Sequence, residues 1–151
     1  MIHHISLRVI AHSTEEKSRV MDTLGLFLKN SLKKKFPNSL AEIVDTVEAE
    51  GHYGNPITIF SIQLTRKHDT KAFSEFVHNN MTLEDIEILR REMPDRLDED
   101  QLFHLRFDKQ EAYMGRVKLV SSSDAITAKV KIETYPKNRE MAGKIVEELF
   151  G

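Results

Sequence analysis

Leu102-Phe103-His104-Leu105-Arg106-Phe107 alternates strictly between apolar and polar residues. Successive side chains of an extended chain point to opposite faces, so Phe103, Leu105 and Phe107 fall on one side and His104 and Arg106 on the other. Thr127-Ala128-Lys129-Val130-Lys131-Ile132 repeats the pattern, with Ala128, Val130 and Ile132 on one side and Lys129 and Lys131 on the other. A strand that is apolar on a single side belongs to an antiparallel sheet with one covered face and one wet face. Here the polar side is cationic, although the whole chain carries a formal net charge of -2.

The same alternation extends outward from these two stretches. Ile2 to Ile10 reads as a strand with Ile5, Leu7 and Val9 on one face and His4, Ser6 and Arg8 on the other. Ile57 to Thr65 puts Phe60, Ile62 and Leu64 inward and Ser61, Gln63 and Thr65 outward. Ala41 to Glu50 fits either helix or strand. Its β-branched content favours a strand that forms a hairpin with Ile57–Thr65 around Gly51-His52-Tyr53-Gly54-Asn55-Pro56. Arg116 to Val120 reads as a further strand.

Between the strands the spacing changes to a helical period. Ser13-Thr14-Glu15-Glu16 supplies a capping box for a helix to about Lys34, with Val20, Leu24, Phe27 and Leu28 on one stripe. Asp69 is expected to cap a helix carrying Phe73, Phe76 and Val77. Thr82 is expected to cap one carrying Ile86 and Leu89 that stops before Pro94. Asp108 opens a short turn from Lys109 to Met114, closed by Gly115. Asn138 opens a last helix with Met141, Ile145, Val146 and Leu149. The expected fold is α+β: a single antiparallel sheet with helices packed on one face, in one domain spanning 1–151.

Composition excludes several functions. The chain of 151 residues has no cysteine, which removes disulfides, thiol catalysis and cysteine-based zinc fingers. No apolar run is long enough to span a bilayer, so no membrane partner is expected. The N-terminus carries no secretory pattern, and a cysteine-free chain fits a reducing cytoplasm. No nucleophile elbow, P-loop or dinucleotide fingerprint occurs, so no catalytic residue, cofactor or resident metal is expected. Asp98-Glu99-Asp100 is the best magnesium candidate, for a phosphoesterase, but an acidic run of this kind usually forms a solvated loop.

Charge is nevertheless polarised. Six bases (Lys17, Arg19, Lys29, Lys33, Lys34, Lys35) face one acid, Asp22, between positions 17 and 35. Between Glu84 and Asp100 eight acids face three bases. A near-neutral total therefore conceals surfaces of opposite sign. The cationic candidates for a phosphate backbone are Arg8, Arg106, Arg116, Lys118, Lys129 and Lys131 on the outward side of strands, with His4 and His104 beside them and Glu48, Glu50 and Glu133 opposing. Without an aromatic residue among these positions, backbone contacts are expected rather than base stacking. Further candidates are His52, Tyr53 and Asn55 in the glycine turn, Lys109 at a helix start, and Lys33, Lys34 and Lys35 at a helix end. Each has a structural alternative: a hairpin that needs glycine, a cap, and a solvated helix terminus. The acidic stretch supports an alternative function as a protein–protein adaptor meeting a basic partner.

Several segments carry a family resemblance. They are His3-His4-Ile5, Thr14-Glu15, Gly51-His52-Tyr53-Gly54-Asn55-Pro56-Ile57, Arg96-Leu97-Asp98-Glu99-Asp100, Leu105-Arg106-Phe107-Asp108-Lys109-Gln110-Glu111-Ala112-Tyr113 and Asp124-Ala125-Ile126. Together they resemble the archaeal family of predicted exosome-associated RNA-binding proteins, over His3 to about Glu133. The resemblance implies an archaeal cytoplasmic protein with a fold similar to the ribosomal protein that binds five-S RNA. It also implies RNA as partner and an association with the exosome or other RNA-processing proteins. It brings no catalytic residues.

Overall fold

The structure is a computed structural model that describes residues 1–32 and 39–151. Its centre is β1 (Ile2–His12), which pairs antiparallel with β3 (Pro56–Leu64) on one side and β5 (Ile126–Ile132) on the other. β2 (Asp45–Glu50) extends the sheet beyond β3, and β4 (Leu102–Phe107) beyond β5. The order is β2-β3-β1-β5-β4, antiparallel throughout. The helices are α1 (Lys17–Lys29), α2 (Lys67–Asn80), α3 (Leu83–Arg96), the short α4 (Lys109–Tyr113) and α5 (Arg139–Phe150). The four longer ones lie on one face of the sheet, giving the α+β architecture expected of a one-sided apolar pattern.

The covered face is built from the inward positions of every strand except β2. Ile5, Leu7, Val9 and Ala11 of β1 are buried, as are Phe103, Leu105 and Phe107 of β4 and the four alternate residues of β5 from Ile126 to Ile132. From the helical side Phe27 sits at the middle of an aromatic layer, with ring centroids 5.9 Å from Phe73, 6.1 Å from Phe76 and 4.9 Å from Phe107. Phe150 stacks on Phe103 at 5.6 Å. The α1 stripe of Val20, Leu24, Phe27 and Leu28 is buried as its spacing predicts. In α5 the buried residues are Ala142, Val146 and Phe150, whereas Met141 is exposed.

Several boundaries differ from the sequence reading, each for a physical reason. α1 begins at Lys17 instead of just after a Ser13 cap, because Glu15 turns back: its N–H donates to the His12 carbonyl at 2.9 Å and its carboxylate accepts from the His12 N–H at 3.0 Å. α1 ends at Lys29 instead of near Lys34; Lys33, Lys34 and Lys35 lie outside the described residues. Asp69 is the third residue of α2, inside the helix and largely buried, and the N-cap is Arg66.

α3 runs through Pro94 to Arg96. Proline there removes only one late hydrogen bond. The last turn is held from outside: Arg139 donates to the Pro94 carbonyl at 2.9 Å, and Arg96 to the His104 carbonyl at 3.1 Å. Arg116–Val120 is a strap and not a ladder strand. It meets β4 through an isolated bridge, Leu119 to Phe107, and is held to α3 by Asp85. That buried carboxylate accepts from the Leu119 N–H at 3.0 Å and from Lys118 Nζ at 3.2 Å. Thr82, Asp108 and Asn138 cap α3, α4 and α5 as expected. The 45–50 segment is a strand, and the 51–55 turn closes with the Gly51 N–H on the Asn55 carbonyl and Gly54 at φ +77°.

Because Phe27 touches three other rings at the centre of the covered face, Phe27→Ala is expected to lower the free energy of unfolding by about 3–5 kcal/mol, measured by urea denaturation.

Candidate nucleic-acid interface

Paired residues of neighbouring strands share a face, so the register defines the open side of the sheet row by row. One row runs Asp45, Ser61, Arg8, Thr127, Arg106 across all five strands. The next runs Gln63, Ser6, Lys129, His104, and the one after it His4, Lys131, Leu102. Arg8, Arg106, Lys129 and Lys131 thus occupy one continuous field on β1, β5 and β4. Neighbouring strands lie ~4.8 Å apart and same-face residues ~6.8 Å apart along a strand. Among the described residues none of the four forms an ion pair. Arg106 donates to the Ser121 carbonyl at 3.4 Å and Lys131 to the Asp100 carbonyl, neutral partners that steer the side chains without discharging them.

The other cationic candidates are placed differently. Arg116 lies on the strap and pairs with Glu111 at 2.5 Å. Lys118, also on the strap, is bound to Asp85, whose hydrogen bond and charge raise its pKa. Lys109 is nearly buried: Nζ donates to the Ile10 carbonyl at 2.9 Å, Glu15 Oε1 at 2.8 Å and Asp124 Oδ1 at 3.1 Å. His12 Nε2 is 3.2 Å from the same Asp124 oxygen. Partial burial opposes the Asp124 charge, but Lys109 and then His12 outweigh it and hold the carboxyl below its usual range. His12, Glu15 and Asp124 each offer a ligand atom, all within 4.8 Å of one another. The Lys109 ammonium already bridges two of the three, so the arrangement is a filled cation site.

His52 and Tyr53 are exposed at the hairpin tip, edge to face with ring centroids 4.8 Å apart, and Asn55 is exposed beside them. The structure does not bring this tip to the cationic field. Two rows stand between: Val47, Ile59, Ile10, and then Ala49, Ile57, His12. The open face is therefore divided, with an apolar half toward the β2–β3 turn and a cationic half on β1, β5 and β4. The sequence reading missed the apolar half, although Ile10 outward follows from Ile5, Leu7 and Val9 inward.

The acidic stretch is partly spent inside the protein. Asp85 holds the strap, Glu92 pairs with Arg96 at 2.9 Å, and Asp98 Oδ2 lies 2.8 Å from His104 Nε2. For Asp98, burial opposes the charge. Hydrogen bonds from His104 and from the N–H groups of Leu102 and Asp100 outweigh it, so its pKa lies below the usual 3.8. A carboxyl lowered by folding contributes stability above its unfolded value and loses it as pH falls through and below 3.8. Asp98→Asn is thus expected to make the fall in stability between about pH 5 and about pH 3 shallower, measured by urea unfolding across that range.

Comparison with known proteins gives consistent results. A family model described as RNA binding matches residues 4–132. The RNA-binding protein PAB1135 of Pyrococcus abyssi is 29% identical over 146 residues, covering 97% of this chain and 92% of its own. The crystal structure of protein AF2318 from Archaeglobus fulgidus has 30% identity and a TM-score of 0.80, covering 99% of each chain. A DUF54 protein from Methanothermobacter thermautotrophicus has 30% identity and a TM-score of 0.74, covering 100% of this chain and 99% of its own.

Proposed function

Because the chain belongs to this archaeal RNA-binding family, we propose that it is a non-catalytic RNA-binding protein that holds the phosphate backbone on the cationic half of its open sheet face. The observation that carries the reading is the placement of Arg8, Arg106, Lys129 and Lys131 on three adjacent strands, free of carboxylate partners among the described residues. Cations already bound to carboxylates must break those pairs before they can meet phosphate, so Lys109, Arg116 and Lys118 are secondary. His52, Tyr53 and Asn55 would serve only an RNA long enough to cross the apolar half. Work beside RNA-processing machinery in the cytoplasm, the archaeal exosome included, is part of this proposal and rests on the family resemblance.

Four phosphate contacts on single-stranded RNA give a slope of log affinity on log salt of about -3. Neutralising any one of the four residues is expected to reduce that slope by about 0.7. The pair Arg106→Glu and Lys129→Glu is expected to cost at least about tenfold in affinity at about 0.1 M salt, with an unchanged unfolding midpoint. A salt titration of binding to short RNA measures both. Binding that ignores salt, or survives the double reversal, refutes the proposal.

His4 adds a pH dependence. Partial burial, then the neighbouring His3 and Lys131, hold its pKa below the usual 6.5. Phosphate arriving beside Lys131 offsets the cationic surroundings and favours the protonated ring. RNA affinity is therefore expected to rise as pH falls from about 7.5 to about 5.5, and His4→Gln to flatten part of that rise, read from binding isotherms at fixed salt.

A further inference from the structure

The apolar half of the open face is arranged symmetrically about β3. On β2 it carries Asp45, Val47 and Ala49; on β3, Ser61, Ile59 and Ile57; on β1, Arg8, Ile10 and His12. Val47 is 54% exposed, and Ile10, Ala49, Ile57 and Ile59 are partly exposed. The helices pack on the other side of the sheet, and among the described residues none covers these side chains.

Asp45 and Arg8 share a row two strands apart, with Ser61 between them, and form no ion pair with each other. Neither has an ion-pair partner among the described residues. A closed dimer needs a surface that complements itself under a two-fold rotation. An axis along β3, between two open faces, exchanges the β2 and β1 positions. Asp45 of one copy then meets Arg8 of the other, reciprocally. Val47 meets Ile10, Ile59 meets Ile59, and Ala49 meets His12. Two sheets packed face to face stand ~10 Å apart with their strands nearly aligned, the arrangement this axis produces.

We infer that the chain self-associates through this surface, as a two-fold dimer about β3 sealed by Asp45–Arg8 pairs. The patch is three strands wide and three rows deep. That is smaller than the roughly 800 Å² per partner of a standard interface, the size of a weak, transient contact. β5 and β4 lie beyond the overlap, so Arg106, Lys129 and Lys131 stay open in the dimer. The inference concerns the protein without RNA and does not depend on the RNA-binding reading.

The test is light scattering or sedimentation of nuclease-treated protein from about 10 µM to about 1 mM. The mass is expected to rise toward two chains with concentration. Asp45→Arg alone and Arg8→Asp alone are each expected to weaken the dimer by about tenfold. The double swap is expected to restore it to within about threefold, since the pair re-forms with its signs exchanged. Val47→Lys, at an exposed position, is expected to abolish it.

An independent measurement uses the absence of cysteine from the chain. Ile59→Cys places two thiols at the axis, too far apart for a disulfide across ~10 Å but within reach of a short bismaleimide. That variant is expected to cross-link, and Leu83→Cys, exposed on α3, is not. A constant monomer mass, a dimer indifferent to Val47→Lys, swaps that do not restore each other, or equal cross-linking at both cysteines would each overturn the inference.

Discussion

The central strand β1 constrains everything else in this protein. It is hydrogen-bonded on both edges, to β3 and to β5, and its register fixes which face each of those strands presents. A shift of one residue would turn every side chain to the opposite face. Ile5, Leu7, Val9 and Ala11 prevent that shift, because they must remain under the helices, against the layer built around Phe27. Their burial leaves His4, Ser6, Arg8, Ile10 and His12 no choice but the open face. The divided surface is thus a consequence of core packing: the residues that stabilise the fold are the ones that aim the cations.

The alternation of β1, β3, β4 and β5 was readable in the sequence because a period of two is a local property. The caps at Thr82, Asp108 and Asn138 were readable for the same reason. What could not be read is non-local. Asp85 and Lys118 are 33 positions apart, and Glu15 and Lys109 are 94 apart. Nothing within a short window says that Lys118 and Lys109 are committed to carboxylates while Lys129 and Lys131 are not. Ser13 and Glu16 have the spacing of a capping box. In the fold the Glu15 side chain between them closes a turn and receives Lys109, which moves the helix start to Lys17. Arg116–Val120 shows the converse failure, since its composition suits a strand but its backbone joins β4 through one isolated bridge, with the Val120 N–H donating to the Arg106 carbonyl and the Lys118 carbonyl accepting from the Asp108 N–H.

Cations committed to carboxylates and cations free of them lie in different parts of this acidic protein. A cation within 4 Å of a carboxylate contributes little field at a distance, and several such pairs lie on the helical side or at the ends of the sheet. On the cationic half the nearest fixed partners of Arg106 and Lys131 are carbonyl oxygens, which orient a charge but do not cancel it. A net charge of -2 is therefore a poor guide to this face. Glu15, Lys109 and Asp124 converge in one ion cluster, and Asp98 lies against His104, so these side chains hold the ends of the sheet in place.

An open sheet face carries a cost that a covered one does not, because partly exposed isoleucines and valines invite contact with any apolar surface. The charged row next to them limits which contacts succeed. A second molecule approaching in the wrong register would set Arg8 against Arg8 or Asp45 against Asp45, and like charges brought face to face oppose the association. On the edge strand β2, Glu48 and Glu50 act in the same direction, blunting indiscriminate strand addition beside the exposed Val47. The polar rows therefore do two things at once. They supply positive charge toward β4, and toward β2 they restrict the apolar half to partners whose charges mirror its own.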